Sequence, residues 1–197
     1  MSISTTYITL LRHGAVQGGA CYRGITDDAL SATGWEQLQN KTAAQADWNI
    51  IISSPLSRCY DFALQLSEQR HCALIKAPAL QEINFGDWEG KTADQINPDL
   101  LAQFYADPVH FTAANAEPFI DFQQRVLEAW QALLKEHQGQ RLLMITHAGV
   151  IRVILADMLG MDTQHSFKLK IAYASLSKIE CFSEQGAEDF LQLVEHR

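Results

Sequence analysis

The chain has 197 residues, 47% hydrophobic and 19% charged, the balance of a globular protein large enough to bury its own core. Its 15 Lys and Arg against 23 Asp and Glu leave a net charge of −8, which excludes broad electrostatic attraction to nucleic acid or to an anionic membrane. No window carries the unbroken apolar run of a membrane span, so an anionic ligand would need a local positive pocket set against an acidic background.

The first segment, MSISTTYITLLRHG, has no basic region and no small-residue cleavage site, and reads as a strand at about Tyr7–Leu11 and not as a signal peptide. A loop of turn formers follows, through Gly18-Gly19 and Arg23-Gly24 to Asp28. Ser31-Ala32-Thr33-Gly34 opens a helix through about Ala46, and Asn49–Ile52 is a short apolar strand. Ser53-Ser54-Pro55 predicts a helix start, with Ser as cap and Pro in the first turn, and the helix runs to about Gln69. Ala73–Lys76 makes a third strand.

The stretch from about Pro78 to Pro118 holds four of the five prolines. It reads as an irregular excursion that covers an active site, with short helices near Thr92–Ile96 and Asp99–Tyr105. Pro118–His137 is a long helix with Phe119, Phe122, Val126, Trp130, Leu133 and Leu134 on one face. Arg141–Thr146 is a buried strand, Gly149–Leu159 an apolar helix, and strands near Ala174–Cys181 and Phe190–Val194 close the chain. The alternation predicts one α/β domain over residues 1–197, a three-layer α/β/α sandwich around a mostly parallel sheet.

Three strand ends carry the chemistry. Arg12-His13-Gly14 follows YITLL, Arg58 follows NII within SSPLSRCYDFA, and His147 follows RLLMI. In an open parallel sheet such points share one edge, where ligands bind. Two guanidiniums suit the oxygens of a phosphate dianion, and a neutral imidazole can attack phosphorus. A helix beginning near Ser54 would aim Arg58 at that edge. Gly14 allows close backbone approach, and Gly149 lets its helix start near a ligand. The proton for a leaving oxygen could come from Glu82, Asp87 or Glu89 in LQEINFGDWEG, where Phe85 and Trp88 supply an apolar wall that would raise a carboxyl pKa or stack on an aromatic substrate. The cysteines Cys21, Cys59, Cys72 and Cys181 form no CxxC pair, so neither a zinc knuckle nor a redox dithiol is indicated, and the seven histidines show no HxH or HExxH spacing that would support a metal site. Reduced thiols predict a cytoplasmic protein.

Taken together, LLRHG, YRGITDDALSATGWEQ, SSPLSRCYDFA, QEINFGDWEG, FQQRV and ITHAGVIR resemble the histidine phosphatase superfamily, in its phosphoglycerate mutase-like branch, over nearly the whole chain. The resemblance implies a phosphoglycerate mutase-like fold, His13 as the nucleophile that becomes phosphohistidine, and Arg12, Arg58 and His147 as phosphate-pocket residues. It also implies Glu82 as proton donor, Arg23 and Gly24 as a substrate-contact loop, and no cofactor. Within the family the chain is similar to α-ribazole-5′-phosphate phosphatases of cobalamin biosynthesis. Two departures fall on the substrate rim: RHGAVQGG where many relatives read RHGE, and Arg23 where mutases carry a smaller residue. The expected partner is a small-molecule phosphate ester; the oligomeric state stays open, a homodimer included. The alternatives are a broad sugar or nucleotide phosphatase, a phosphoglycerate mutase, disfavoured by the short stretch after the last strand, and a non-catalytic phospholigand sensor, which would have no use for His13 and Glu82 together.

Overall fold

The structure, a computed structural model, describes residues 3–44 and 47–197. Six strands form one sheet in the order β3-β2-β4-β1-β5-β6. They are β1 (Ser4–Arg12), β2 (Ile50–Ser53), β3 (Ala73–Lys76), β4 (Arg141–Thr146), β5 (Leu176–Ser183) and β6 (Phe190–His196). The first four pair in parallel, β5 runs antiparallel to β1, and β6 runs antiparallel to β5. The helices are α1 (Ala32–Thr42), α2 (Ser57–Arg70), α3 (Pro98–Ala106), α4 (Phe119–Glu136), α5 (Ala148–Met158) and the single-turn α6 (Thr163–Ser166). Among the described residues no helix is long and apolar enough to cross a membrane.

Alternate side chains of the central strands enter opposite cores, as the period of two requires. Ile8, Leu10, Ile52, Leu142 and Met144 meet α4 and α5 on one face. Leu11, Ile51, Leu143 and Ile145 meet α1 and α2 on the other, through Leu38, Cys59, Phe62 and Leu66. The three predicted layers are therefore present. The apolar stripe expected on α4 is buried throughout, with Trp130 at its centre.

The 78–118 segment is irregular, as the prolines predict. It contains three short 3-10 turns and α3, and the third of those turns is closed by a reciprocal capping box between Thr92 and Gln95. Gly14 and Gly34 pack backbone to backbone: a Cβ on Gly14 would lie 2.2 Å from the Gly34 carbonyl oxygen. Gly14 thus seats the start of α1 against the exit of β1, a different use of close approach from the one expected.

The start of α2 differs from the sequence expectation. The helix begins at Ser57, and neither Ser54 nor Pro55 lies in it. Ser54 still belongs to the sheet ladder, its N–H donating to Ile145 O at 3.0 Å. The orphan amide of Ser57 is instead capped by a distant side chain, Asp27 Oδ1, at 2.7 Å. The first predicted helix ends at Thr42, and Ala46, its expected end, lies outside the described residues.

Because Trp130 is 1% exposed and packed in the core that α4 and α5 share with the sheet, its truncation leaves a cavity that the neighbouring helices cannot close. Trp130→Ala should lower unfolding stability by about 3–5 kcal/mol in urea titration; a loss under about 1 kcal/mol would contradict this packing.

Candidate active site

Register places the site. Arg12 pairs with Thr146, and Ser53 pairs with Ile145. The next residues, His13, His147 and Ser54, therefore leave three adjacent strands at one edge of the sheet. His13 N–H donates to Thr146 O at 2.9 Å, which prolongs the ladder by one step. The antiparallel β5 begins at the same edge and delivers Tyr173, whose ring lies 4.1 Å from the Arg12 guanidinium carbon and 5.6 Å from the His13 ring.

Sequence-predicted residues from all three strand ends converge here. The imidazoles of His13 and His147 are 5.2 Å apart, centroid to centroid. His13 is 5% exposed and His147 is fully buried. His13 Nδ1 lies 2.8 Å from Gly14 O. A carbonyl only accepts, so Nδ1 carries the proton and Nε2 keeps a free lone pair. Burial, reinforced by the charges of Arg12 and Arg58, holds the His13 pKa well below its ordinary value.

His147 is oriented by similar logic. Arg58 Nε donates to its Nδ1 at 3.3 Å, and a guanidinium cannot accept. Nε2 must then donate to Ser54 Oγ, at 2.7 Å. Burial first, then Arg58 and His13, keep this imidazole neutral too.

Arg58 is 0% exposed. Beyond His147, its Nη1 donates to Thr26 O and its Nη2 to Gly24 O, both at 2.6 Å. A guanidinium has five N–H groups, so two remain for a ligand. Arg12 donates from Nη1 to Ile171 O at 2.6 Å, while its buried Nε has no partner among the described residues.

Glu82 sits at the amino end of α5. Its Oε2 accepts from Gly149 N at 3.0 Å and its Oε1 from Ile83 N at 3.1 Å. A Cβ on residue 149 would stand 2.2 Å from that carboxylate, so Gly149 makes room for the acid. The other two candidate carboxylates sit elsewhere. Asp87 is exposed and holds Asn115. Glu89 accepts from the amides of Gly24, Ile25, Thr26 and Phe85 and from the Thr26 hydroxyl. Burial alone would raise the Glu89 carboxyl, but these donors win and hold it below the usual carboxylate range. It acts as a clamp between the 23–26 loop and the 82–89 segment.

Arg23 and Gly24 are placed on the rim with most polar groups already taken. Arg23 Nε pairs with Asp28 at 2.7 Å, and its other nitrogens reach Gly19 O and Gln17 O, both at 3.1 Å. Gly24 N–H goes to Glu89 and its carbonyl to Arg58.

Beside Glu82 opens a cavity of about 80 Å³. Its walls are Phe85, Trp88, Phe104, Phe111, Phe119 and Phe167, with Glu82, Gly149 and Arg152 at one end. Most of these residues come from the 78–118 excursion. Sequence reasoning assigns no site role to Ser54, Tyr173 or Arg152, although Ser54 stands in SSPLSRCYDFA, where it reads as a helix cap, and Arg152 in ITHAGVIR. Among the described residues no three His, Cys, Asp or Glu side chains converge to hold a metal ion.

The model of the histidine phosphatase superfamily (branch 1) matches residues 8–192. A bifunctional protein of Mycobacterium tuberculosis is 27% identical over 187 residues, 91% of this chain and 51% of that one, so the chain spans about half the length of that relative. The adenosylcobalamin/α-ribazole phosphatase of Escherichia coli K12 is 29% identical over 179 residues, covering 87% of this chain and 88% of its own. The crystal structure of the α-ribazole phosphatase from Shigella flexneri superposes with a TM-score of 0.80 at 26% identity, covering 95% of each chain.

Two buried neutral imidazoles have a consequence for stability. Below about pH 6.5 the unfolded chain takes up a proton at each, which the folded chain refuses. Stability therefore falls as pH drops, by up to about 1.4 kcal/mol per pH unit for each histidine. Urea unfolding at pH 7 and pH 5.5 should show the loss, and His147→Gln should make it smaller by about one such increment. An identical loss in both proteins would refute the assignment.

Proposed function

The chain belongs to branch 1 of the histidine phosphatase superfamily, and on that premise we propose that it is a phosphomonoesterase working through a phosphohistidine on His13. One observation carries the reading. The hydrogen bond from His13 Nδ1 to Gly14 O leaves Nε2 as a free lone pair, in a pocket that also holds two guanidiniums. Attack by a cationic imidazole is impossible, and the burial that keeps His13 neutral is the same burial that strengthens the field of Arg12 and Arg58.

The dianion is held by the remaining N–H groups of Arg58 and by Arg12. Its charge is what makes burying two guanidiniums at one edge tolerable. His13 Nε2 attacks phosphorus as the ester P–O bond breaks. Glu82 gives its proton to the departing oxygen and becomes a carboxylate held by Gly149 N–H and the α5 amino terminus. That carboxylate then takes a proton from the water that attacks the phosphohistidine. Inorganic phosphate leaves, His13 is neutral again, and Glu82 is reprotonated. His147 stays an uncharged, oriented dipole beside the phosphate, fixed by Ser54 and Arg58.

For the substrate, the aromatic cavity next to Glu82 favours an alcohol with a flat apolar ring. α-Ribazole 5′-phosphate, with its benzimidazole, has that character, and the relatives named above support it. The four free cysteines accord with a cytoplasmic enzyme of cobalamin biosynthesis.

His13→Ala should abolish turnover and leave vanadate binding measurable by calorimetry; retained turnover ends the mechanism. Glu82→Gln should lower kcat by about 10²–10⁴-fold on alkyl phosphates and far less on 4-nitrophenyl phosphate, whose leaving group needs no proton. Across a panel of phosphate esters compared by kcat/KM, α-ribazole 5′-phosphate should lead. Comparable values on sugar and nucleotide monophosphates would replace that substrate with a broad specificity.

A further inference from the structure

The cavity beside Glu82 has mainly apolar walls, two carboxylates, Glu82 and Glu117, and one cation, Arg152. Arg152 lies on α5 one turn after Gly149, so its side chain shares the helix face that meets the Glu82 carboxylate. It is partly buried, and burial lowers its pKa while Glu82 raises it. Arg152 lines the aromatic cavity together with Glu82 and Gly149.

A second arginine close to the acid behaves differently. Arg125 spends its guanidinium on Glu117 and on the carbonyls of Ala79, Gln81 and Glu82, and so braces the backbone that carries the acid. Arg152 has one hydrogen bond among the described residues, from Nε to Leu169 O at 3.2 Å. That bond anchors the guanidinium plane. Nη1 and Nη2 meet no protein acceptor and no carboxylate within ion-pair distance among the described residues, although Arg152 lines a cavity walled mainly by aromatic rings, with Asn84, Thr112, Glu82 and Glu117 as its other polar residues. A guanidinium fork held at one nitrogen and open at two others, on an apolar wall, is preorganised for an oxygen acceptor from outside the chain.

We propose that Arg152 is a specificity-determining residue whose Nη1 and Nη2 receive an oxygen acceptor carried by the substrate's alcohol, between the phosphate and an apolar ring in the aromatic cavity. The proposal rests on the phosphomonoesterase reading above and narrows it to esters whose ring is joined to phosphorus through an oxygen-bearing linker or bears a carboxylate. Ribose hydroxyls and carboxylates share this chemistry. A neutral alkyl or aryl phosphate would leave the fork unpaired and forgo the gain. The phosphoryl steps themselves do not involve Arg152.

Binding in a background that cannot turn over separates this assignment from the catalytic one. Dissociation constants for phenyl phosphate, 3-carboxyphenyl phosphate and a purine nucleoside 5′-monophosphate are measured by calorimetry in His13→Ala, with and without Arg152→Met. The preference for one or both acceptor-bearing esters over phenyl phosphate should fall about tenfold on loss of Arg152. The ester whose preference falls identifies the acceptor as carboxylate or hydroxyl. Arg152→Lys, which keeps the charge and loses the fork, should give an intermediate ratio and guards against misfolding of the Met variant. Preference ratios that stay the same in all three proteins overturn the proposal, whatever the absolute losses. Failure of the wild-type chain to hydrolyse any of these esters would fall on the phosphatase reading alone.

Discussion

Taking the Arg58 guanidinium out of water costs several kcal/mol unless its donors are met, and this chain meets them with groups from two separate places. The carbonyls of Gly24 and Thr26 come from the first long loop, and the Nδ1 of His147 comes from the end of β4. Arg58 itself arrives on the first turn of α2. The need to satisfy one buried cation thus draws the rim loop down onto the sheet edge. It also selects the tautomer of His147, and through Nε2 it engages Ser54. Glu89 completes the tie from above by gathering the amides of the same loop. Remove that cation and the loop, the imidazole and the helix start lose their common reference point.

The same burial sets the protonation of the site. Two imidazoles 5.2 Å apart beside two guanidiniums cannot all be charged in a desolvated pocket. The guanidiniums keep their protons because their intrinsic basicity is far higher, and the histidines yield. The neutral state of His13 follows first from burial and then from the positive charge of Arg12 and Arg58. In the proposed mechanism that pocket prepares its nucleophile without a separate general base.

Strand ends were the legible part of this site. The runs YITLL, NII and RLLMI mark β1, β2 and β4, and the residues that follow them had to emerge along one edge once the sheet was parallel. The apolar stripe of α4 was equally plain, because large apolar side chains recurring with a helical period along 18 residues fit a helix and no strand. The start of α2 was misread for a physical reason. Ser-Ser-Pro is locally a good cap, but the ladder bond from Ser54 to Ile145 and the imidazole of His147 compete for the same residue and win. The actual cap, Asp27, lies 30 residues upstream, beyond the reach of any local rule. Tyr173 was hidden similarly, since its place beside Arg12 depends on β5 running antiparallel to β1. Choosing among Glu82, Asp87 and Glu89 needed the family resemblance; spacing alone left the three equal, and in space Glu82 meets the α5 amino terminus, Asp87 is exposed, and Glu89 is taken up by the amides of the 24–26 loop.

The two ends of the proposed substrate are consequently read by parts of the chain with different physical character. The phosphate end is built on strand termini locked by ladder hydrogen bonds, where a shift of one residue would move every core side chain of a strand to the opposite core. The alcohol end is built from the 78–118 excursion, held by edge and stacked aromatic contacts among Tyr22, Phe85, Trp88, Phe104 and Phe111. Such contacts tolerate exchange of one ring for another far better than a sheet tolerates a change of register. Phosphoryl chemistry and fold are therefore tied to each other here, while the identity of the alcohol depends on a surface that can vary without disturbing either. Arg152 stands at the boundary: it rises from a core helix and lines the cavity that the 78–118 segment walls.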